Sequence, residues 1–130
     1  RNARELVGTP FRHQGRVAGR GLDCLGVIVC VGHGLGLFTH DRRDYPRVAP
    51  DGETLLREVE RAGFRAVDPA LALPGDVLVM AMTRHPQHVA LLTDRGILHA
   101  WMAAGAVVEH ELDEYWAARI VAAFSFPGVR

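Results

Sequence analysis

The sequence predicts an α+β domain, with helices in the first half of the chain and an antiparallel sheet in the second. Apolar residues recur at helical spacing after Asp23 and again over 53–62. Beyond Leu71 they fall instead into short strand-like runs separated by turn residues. Helices followed by strands, rather than strict alternation of the two, is the α+β order.

The chain has 130 residues, the size of one domain, and 1–130 is read as a single unit. Its 48% apolar content suffices for one core without disulfides or structural metal. Lys plus Arg and Asp plus Glu balance at 15 each, so no broad field draws in a polyanion, and nucleic acid is not expected as a partner. Every basic residue is arginine, which leaves no lysine to form a Schiff base. The longest apolar stretch, around Val27 to Val31, is far short of the ~20 residues of a spanning helix, so membrane insertion is not expected. Arg1 to Val7 lacks the apolar centre of a secretory signal, and export would use another route or a signal outside this chain.

The elements follow in order. Asn2 to Val7 reads as a short helix closed by Gly8, Thr9 and Pro10. A polar loop runs from Thr9 to Leu22. Asp23 is a natural N-cap for a helix whose buried stripe is Leu25, Ile28, Val29 and Gly32. His33 to Asp51, rich in Gly, Pro and Arg, reads as loop, with Asp44-Tyr45-Pro46 on an extended or turning path. Glu53 to Ala62 is a second helix, with Leu55, Leu56 and Val59 on one side and Gly63 ending it. Pro74-Gly75 is a turn that launches a strand from Asp76 to Met80. Further strands are expected at His88 to Leu92, Ile97 to Trp101, Ala106 to His110 and Ile120 to Phe126.

Cys24 and Cys30 are six apart on one predicted helix, so their side chains diverge and two free thiols are expected. A thiol attacks as thiolate, and Cys24 directly follows the N-cap, where unpaired N–H groups and the helix dipole favour an anion. Cys30 lies beyond that field and reads as a small core residue. A nucleophile needs a base within hydrogen-bond reach, and the base needs a third group to fix its tautomer. His88 and His99 fit this by spacing. On a hairpin through Thr93-Asp94-Arg95-Gly96, residues 11 apart share a face when the loop has two or four residues, but not when it has three, unless a bulge intervenes. An ordinary strand-end histidine is the plain alternative. Zinc held by His85, His88, His99 and a cysteine is another, disfavoured because Pro86 breaks any helical HxxH-type geometry and no paired Cys-x-x-Cys is present. No metal and no cofactor are expected. His13, His33, His40 and His110 read as loop or surface residues, with His13 able to approach the cleft.

Gly21-Leu22-Asp23-Cys24-Leu25-Gly26, Pro74-Gly75-Asp76-Val77-Leu78, His88-Val89-Ala90-Leu91-Leu92 and Ile97-Leu98-His99-Ala100 resemble, in order and spacing, the successive blocks of the NlpC/P60 family of cell-wall peptidases. Thr9-Pro10-Phe11-Arg12-His13-Gln14 and Arg119 to Pro127 look more narrowly like its phage-type branch, which includes the peptidase of gene transfer agents. The resemblance implies a papain-like fold, N-terminal helices packed on an antiparallel sheet, with Cys24 as nucleophile, His88 as base and His99 as orienting residue. It implies cleavage of the peptidoglycan stem peptide, commonly between D-γ-glutamate and diaminopimelate, without a metal. Backbone N–H groups, including that of Cys24, would meet the oxyanion. The family usually has Tyr where this chain has Phe11, so a hydroxyl is missing or is replaced by His13 or water. Leu25 stands where a small residue is usual.

The function this implies is an endopeptidase carried on a phage-like tail, held by tail-tip or hub proteins and acting in the periplasm or cell wall of the target cell. The alternatives are a docking protein of the tail tip without useful catalysis, which Phe11 favours, and a papain-like amidase. Asp23, Phe11, His13, Arg12 and Trp101 are the further candidates for substrate or oxyanion contacts, and arginines of the loops Arg12 to Arg20 and His40 to Arg47 for the stem's carboxylates.

Overall fold

A six-stranded antiparallel sheet carries the domain, and the elements that precede it in sequence cover one of its faces. The computed structural model describes residues 3–46, 53–82 and 86–129. Asn2, Arg47, Asp51 and His85, on which parts of the sequence reading fall, lie outside the described residues.

A 3-10 turn over Ala3–Leu6 replaces the expected first helix and seats Leu6 in the core. The loop after it carries a two-stranded ribbon, β1 (Arg16–Val17) with β2 (Gly21–Leu22). Helix α1 (Cys24–Gly34) follows, capped by Asp23, whose side chain accepts from the Gly26 amide. It extends through His33 and Gly34, beyond the point where Gly-rich sequence suggested loop. Its buried residues are Gly26, Val27, Ile28, Val31 and Gly32, so Ile28 and Gly32 of the expected stripe are buried while Leu25 and Val29 are not. The segment is apolar almost all round, so periodicity alone does not select a face. Helix α2 (Thr54–Arg61) buries Val59 as expected.

The sheet comprises β3 (Arg65–Val67), β4 (Val77–Ala81), β5 (Pro86–Thr93), β6 (Gly96–Trp101), β7 (Ala106–His110) and β8 (Ile120–Ser125), in the order β3-β8-β4-β5-β6-β7. Between β7 and β8 a one-turn helix, α3 (Glu114–Ala117), buries Trp116. β3 and α3 were not anticipated; both are too short to show periodicity.

β4 is buried on both faces, and alternation along it separates two clusters. Val77 and Val79 join Val89, Leu91, Leu98 and Phe124 beneath α1 and α2. Leu78 and Met80 join Ala90, Ile97 and Trp116 on the α3 side. The turn between β5 and β6 is short: Thr93 pairs with Gly96 and Leu91 with Leu98, leaving a two-residue loop.

Candidate active site

Asp23 organises the entrance to α1. Besides Gly26 N at 2.8 Å, its carboxylate accepts from Gln14 N at 2.8 Å, from Arg16 Nη1 at 3.0 Å and from the Tyr45 hydroxyl. Asp23 and Arg16 side chains are 6% and 8% exposed, so this is a buried ion pair whose lone pairs are all used. Arg16 continues to Asp41 at 3.0 Å and to the Tyr45 hydroxyl at 2.9 Å, which ties the 41–46 segment to the start of α1. Gly26 lets this entrance close: a Cβ there would stand 2.2 Å from Gly15 O.

Cys24 is the first residue of α1 and lines a cleft of about 720 Å³ together with His88, Phe11, His13, Trp101 and Asp23. Arg12 is exposed and lies outside this lining, its side chain folded over Gly21. Arg16, Arg42, Asp41, Asp44 and Glu58 also line the cleft, so its charged rim carries both signs. Neither cysteine is in a disulfide; Cys30 Sγ lies 3.4 Å from Arg16 O.

The expected thiolate at the helix start is not the resting state. Burial pushes the Cys24 thiol up to about 12, and the neighbouring Asp23 charge pushes the same way. Backbone hydrogen bonding at Val89 and Leu25, and the Arg16 charge, pull it down but do not prevail. Desolvation of a charge outweighs a helix dipole here, as expected for a sulfur packed against protein at the floor of a cleft.

The histidines are joined as their spacing suggested. The two-residue turn puts His88 and His99 on one face, and His88 Nε2 lies 2.6 Å from His99 Nδ1. His99 is fully buried, between Trp101, whose ring is stacked at 6.0 Å, and Trp116 at 4.9 Å. Trp101 thus both lines the cleft and covers the His99 imidazole. Burial holds His88 down to about 4 and His99, with its histidine neighbours adding repulsion, to about 3, so both rings are neutral at pH 7. His88 pairs with Met80 on the α3 side of the sheet, while Val89 faces α1. Cys24 and His88 therefore meet the cleft from either side of the start of β5. Among the described residues no hydrogen bond joins the sulfur to the imidazole in this ligand-free state, so the pair is a thiol and a neutral ring.

Two residues were missed from sequence. Tyr45, read as loop, binds both Asp23 and Arg16. His110, read as a surface residue, ends β7 with Nε2 2.9 Å from His99 Nε2. The signal for it was present, since His88, His99 and His110 repeat at one interval of 11. Among the described residues no group of three His, Cys, Asp or Glu side chains is arranged to hold a metal ion.

A helix-start cysteine beside a sheet that carries paired histidines, on this topology, defines a papain-like α+β domain. The chain belongs to the NlpC/P60 family, whose match spans residues 8–125. Solved structures share the fold. An NLP/P60-family protein from Staphylococcus aureus described as similar to lipoprotein superposes with a TM-score of 0.68 at 18% identity, over 96% of this chain and 39% of that one. The NlpC/p60 domain of the peptidoglycan hydrolase SagA gives 0.65 at 23% identity, over 95% and 92%. The peptidoglycan hydrolase RipB from Mycobacterium tuberculosis gives 0.65 at 21%, over 95% and 59%. This chain thus spans about two fifths of the first of these proteins and nearly all of the second. A search among curated proteins found no match.

Proposed function

We propose that this domain is a cysteine peptidase of the peptidoglycan stem peptide, with Cys24 as nucleophile, His88 as base and His99 as the group that orients the base. The observation that carries the reading is the hydrogen bond of 2.6 Å between His88 Nε2 and His99 Nδ1, behind a ring that lines the same cleft as a helix-start thiol. The proton of the Cys24 thiol passes to His88 Nδ1, the sulfur attacks the scissile carbonyl carbon, and backbone N–H groups at the start of α1 receive the oxyanion. His88 returns the proton to the departing amine as the C–N bond breaks. Water, deprotonated by His88, then cleaves the thioester and restores the thiol. Because the resting pair is neutral and not hydrogen-bonded, the sulfur–imidazole hydrogen bond forms when substrate binds, a tightening that ligand-free sites commonly require.

The rim of mixed charge suits a stem peptide that presents carboxylates and an amine. The bond proposed is D-γ-glutamyl-diaminopimelate, on the resemblance of the four sequence blocks. Delivery by a phage-like tail belongs to the same proposal, supported by the Thr9 to Gln14 and Arg119 to Pro127 blocks. Detection of the chain by mass spectrometry in purified tail particles of its source would support delivery, and its absence from them would remove it.

The test of the activity is incubation with purified sacculi and defined muropeptides beside Cys24→Ala. New amino termini within the stem, lost in Cys24→Ala, are expected. Release of the whole stem from the sugar would make the enzyme an amidase instead. No cleavage by the unmutated protein would favour a docking protein.

A further inference from the structure

The hydrogen bonds of the histidine pair do not end at His99. His99 Nε2 lies 2.9 Å from His110 Nε2, and His110 Nδ1 lies 2.9 Å from the carbonyl oxygen of Glu111. That last contact decides the direction of the whole chain. A carbonyl only accepts, so His110 carries its proton on Nδ1. In the neutral ring Nε2 is then a lone pair and takes the proton of His99 Nε2–H. A neutral His99 is in turn bare at Nδ1 and accepts from His88 Nε2–H. The lone pair of His88 is thereby left on Nδ1, the nitrogen its own hydrogen bond does not use.

We propose that His110 is a positioning residue: anchored on the Glu111 carbonyl, it sets the tautomers of His99 and His88 and receives the positive charge when His88 Nδ1 takes up a proton. The protons balance along the row. A proton arriving at His88 Nδ1 lets His88 Nε2–H pass to His99 Nδ1, and His99 Nε2–H pass to His110 Nε2. Every hydrogen bond reverses, one proton has been gained, and the cation is His110. The physical reason is hydration. His88 and His99 are buried, His99 completely, whereas His110 is half-buried at the end of an edge strand. Burial disfavours a cation on either inner ring, in keeping with the lowered proton affinity of both. The geometry is set by two turns: the two-residue β5–β6 loop and the Met102–Ala104 turn, each of which steps the next histidine one diagonal along the same face.

The groups around the row are accounted for. Trp101 and Trp116 cover His99 and His110, and Ile97 is the cross-strand neighbour of His110. Cys24 shares the cleft at the His88 end. Of the nearby carboxylates, Glu109 is held by Arg4 and Asp113 caps the Trp116 amide. Just beyond α3, Arg119 lies over the Tyr115 ring.

This inference rests on the peptidase reading for its catalytic consequence, but its structural part is testable without any substrate. In the full chain labelled with 15N-histidine, nitrogen chemical shifts at pH 7.5 should report Nε2–H for His88 and His99 and Nδ1–H for His110. On acidification His88 and His99 should change to Nδ1–H together, as His110 takes a second proton. In His110→Ala both inner rings should become tautomer mixtures. In His110→Gln the amide accepts from His99 and donates to Glu111 O, so the tautomers should persist at pH 7.5 while the joint acid change disappears. Unchanged tautomers in His110→Ala, or Nδ1–H on His88 in the unmutated protein at pH 7.5, would overturn the proposal. With a cleavable stem peptide, His110→Ala should lower kcat about tenfold at constant KM, with partial rescue by His110→Gln. If no peptide is cleaved by any form, the peptidase reading fails while the nitrogen spectra still decide the role of His110.

Discussion

His88 and His99 are bonded at 2.6 Å although they are not cross-strand partners: the register that pairs Leu91 with Leu98 sets them one diagonal step apart on a shared face. His88 Nε2–H thus has one acceptor, and that acceptor is enclosed by two indoles. His99→Ala should lower kcat on a stem peptide about 100-fold with little change in KM, because the base loses its tautomer rather than the substrate its site. Unfolding should cost about 1–3 kcal/mol less, from the unpaired N–H and the void. His99→Asn, whose amide oxygen accepts in place of Nδ1, should recover most of kcat. Steady-state kinetics with thermal melts separate this from packing alone, under which Asn would do no better than Ala.

The thiol of Cys24, pushed up to about 12, should be slow toward alkylating agents in the folded, ligand-free protein. Three units above the ordinary 9.0 leave roughly 1000-fold less thiolate at neutral pH. The iodoacetamide rate at Cys24, followed by peptide mass spectrometry, should climb tenfold per pH unit from 7 to 10. A fast plateau from pH 5 to 8 would instead reveal a preformed thiolate–imidazolium pair and contradict the resting state described above.

That thiol is also where reading the sequence stopped short. Order of elements, the N-cap at Asp23 and the His88–His99 face were legible because each follows from a local rule: capping chemistry, period and hairpin parity. The proton affinity of Cys24 was not. The helix-start argument is local and points down, whereas enclosure of the sulfur and the Asp23 charge arise from tertiary packing and point up. The Tyr45 hydroxyl on Asp23 and Arg16 bridges 22 and 29 residues of sequence, and no pattern within either segment announces it. His110 differs, since its spacing is visible in the sequence, but its place beside His99 depends on two turns acting in register, and without them it reads as a surface residue.

Asp23 holds four groups together, the Gly26 amide, the Gln14 amide, Arg16 and the Tyr45 hydroxyl, and its charge also bears on the Cys24 thiol. Asp23→Ala removes one of the two carboxylates on buried Arg16 together with the helix cap and the bonds to Gln14 and Tyr45, and should cost about 2–4 kcal/mol of stability by denaturant titration. Arg16→Met combined with Asp23→Ala should recover part of that loss, since the buried guanidinium, then balanced by Asp41 alone, is gone. Asp23→Asn keeps the bond to Gly26 N but removes the charge that opposes the thiolate. Its Cys24 alkylation rate at pH 8 should therefore exceed that of the unmutated protein, and a slower rate would mean that the carboxylate does not act on the sulfur.

Stability should form a plateau bounded by the histidine pair on the acid side and by Cys24 on the alkaline side. His88 and His99 fall from 6.5 in the unfolded chain to about 4 and about 3 when folded, so between pH 6.5 and 4 the unfolded state binds more protons. Stability must then decrease as pH falls through that window, by on the order of 2 kcal/mol or more for the coupled pair. The paired carboxylates Asp44, Glu58, Asp94 and Glu109, lowered by Arg42 or Arg4, begin to contribute only below the ordinary carboxylate range, under pH 4.5. Loss of stability that begins near pH 6.5 is therefore histidine in origin. On the alkaline side Cys24 rises from 9.0 to about 12, the folded state holds the proton longer, and stability should decline above pH 9. Urea titrations from pH 4 to 10 measure both edges. In His88→Gln combined with His99→Asn the acid edge should move to the carboxylate range, and an edge that stays near pH 6.5 in that variant would assign it to other histidines.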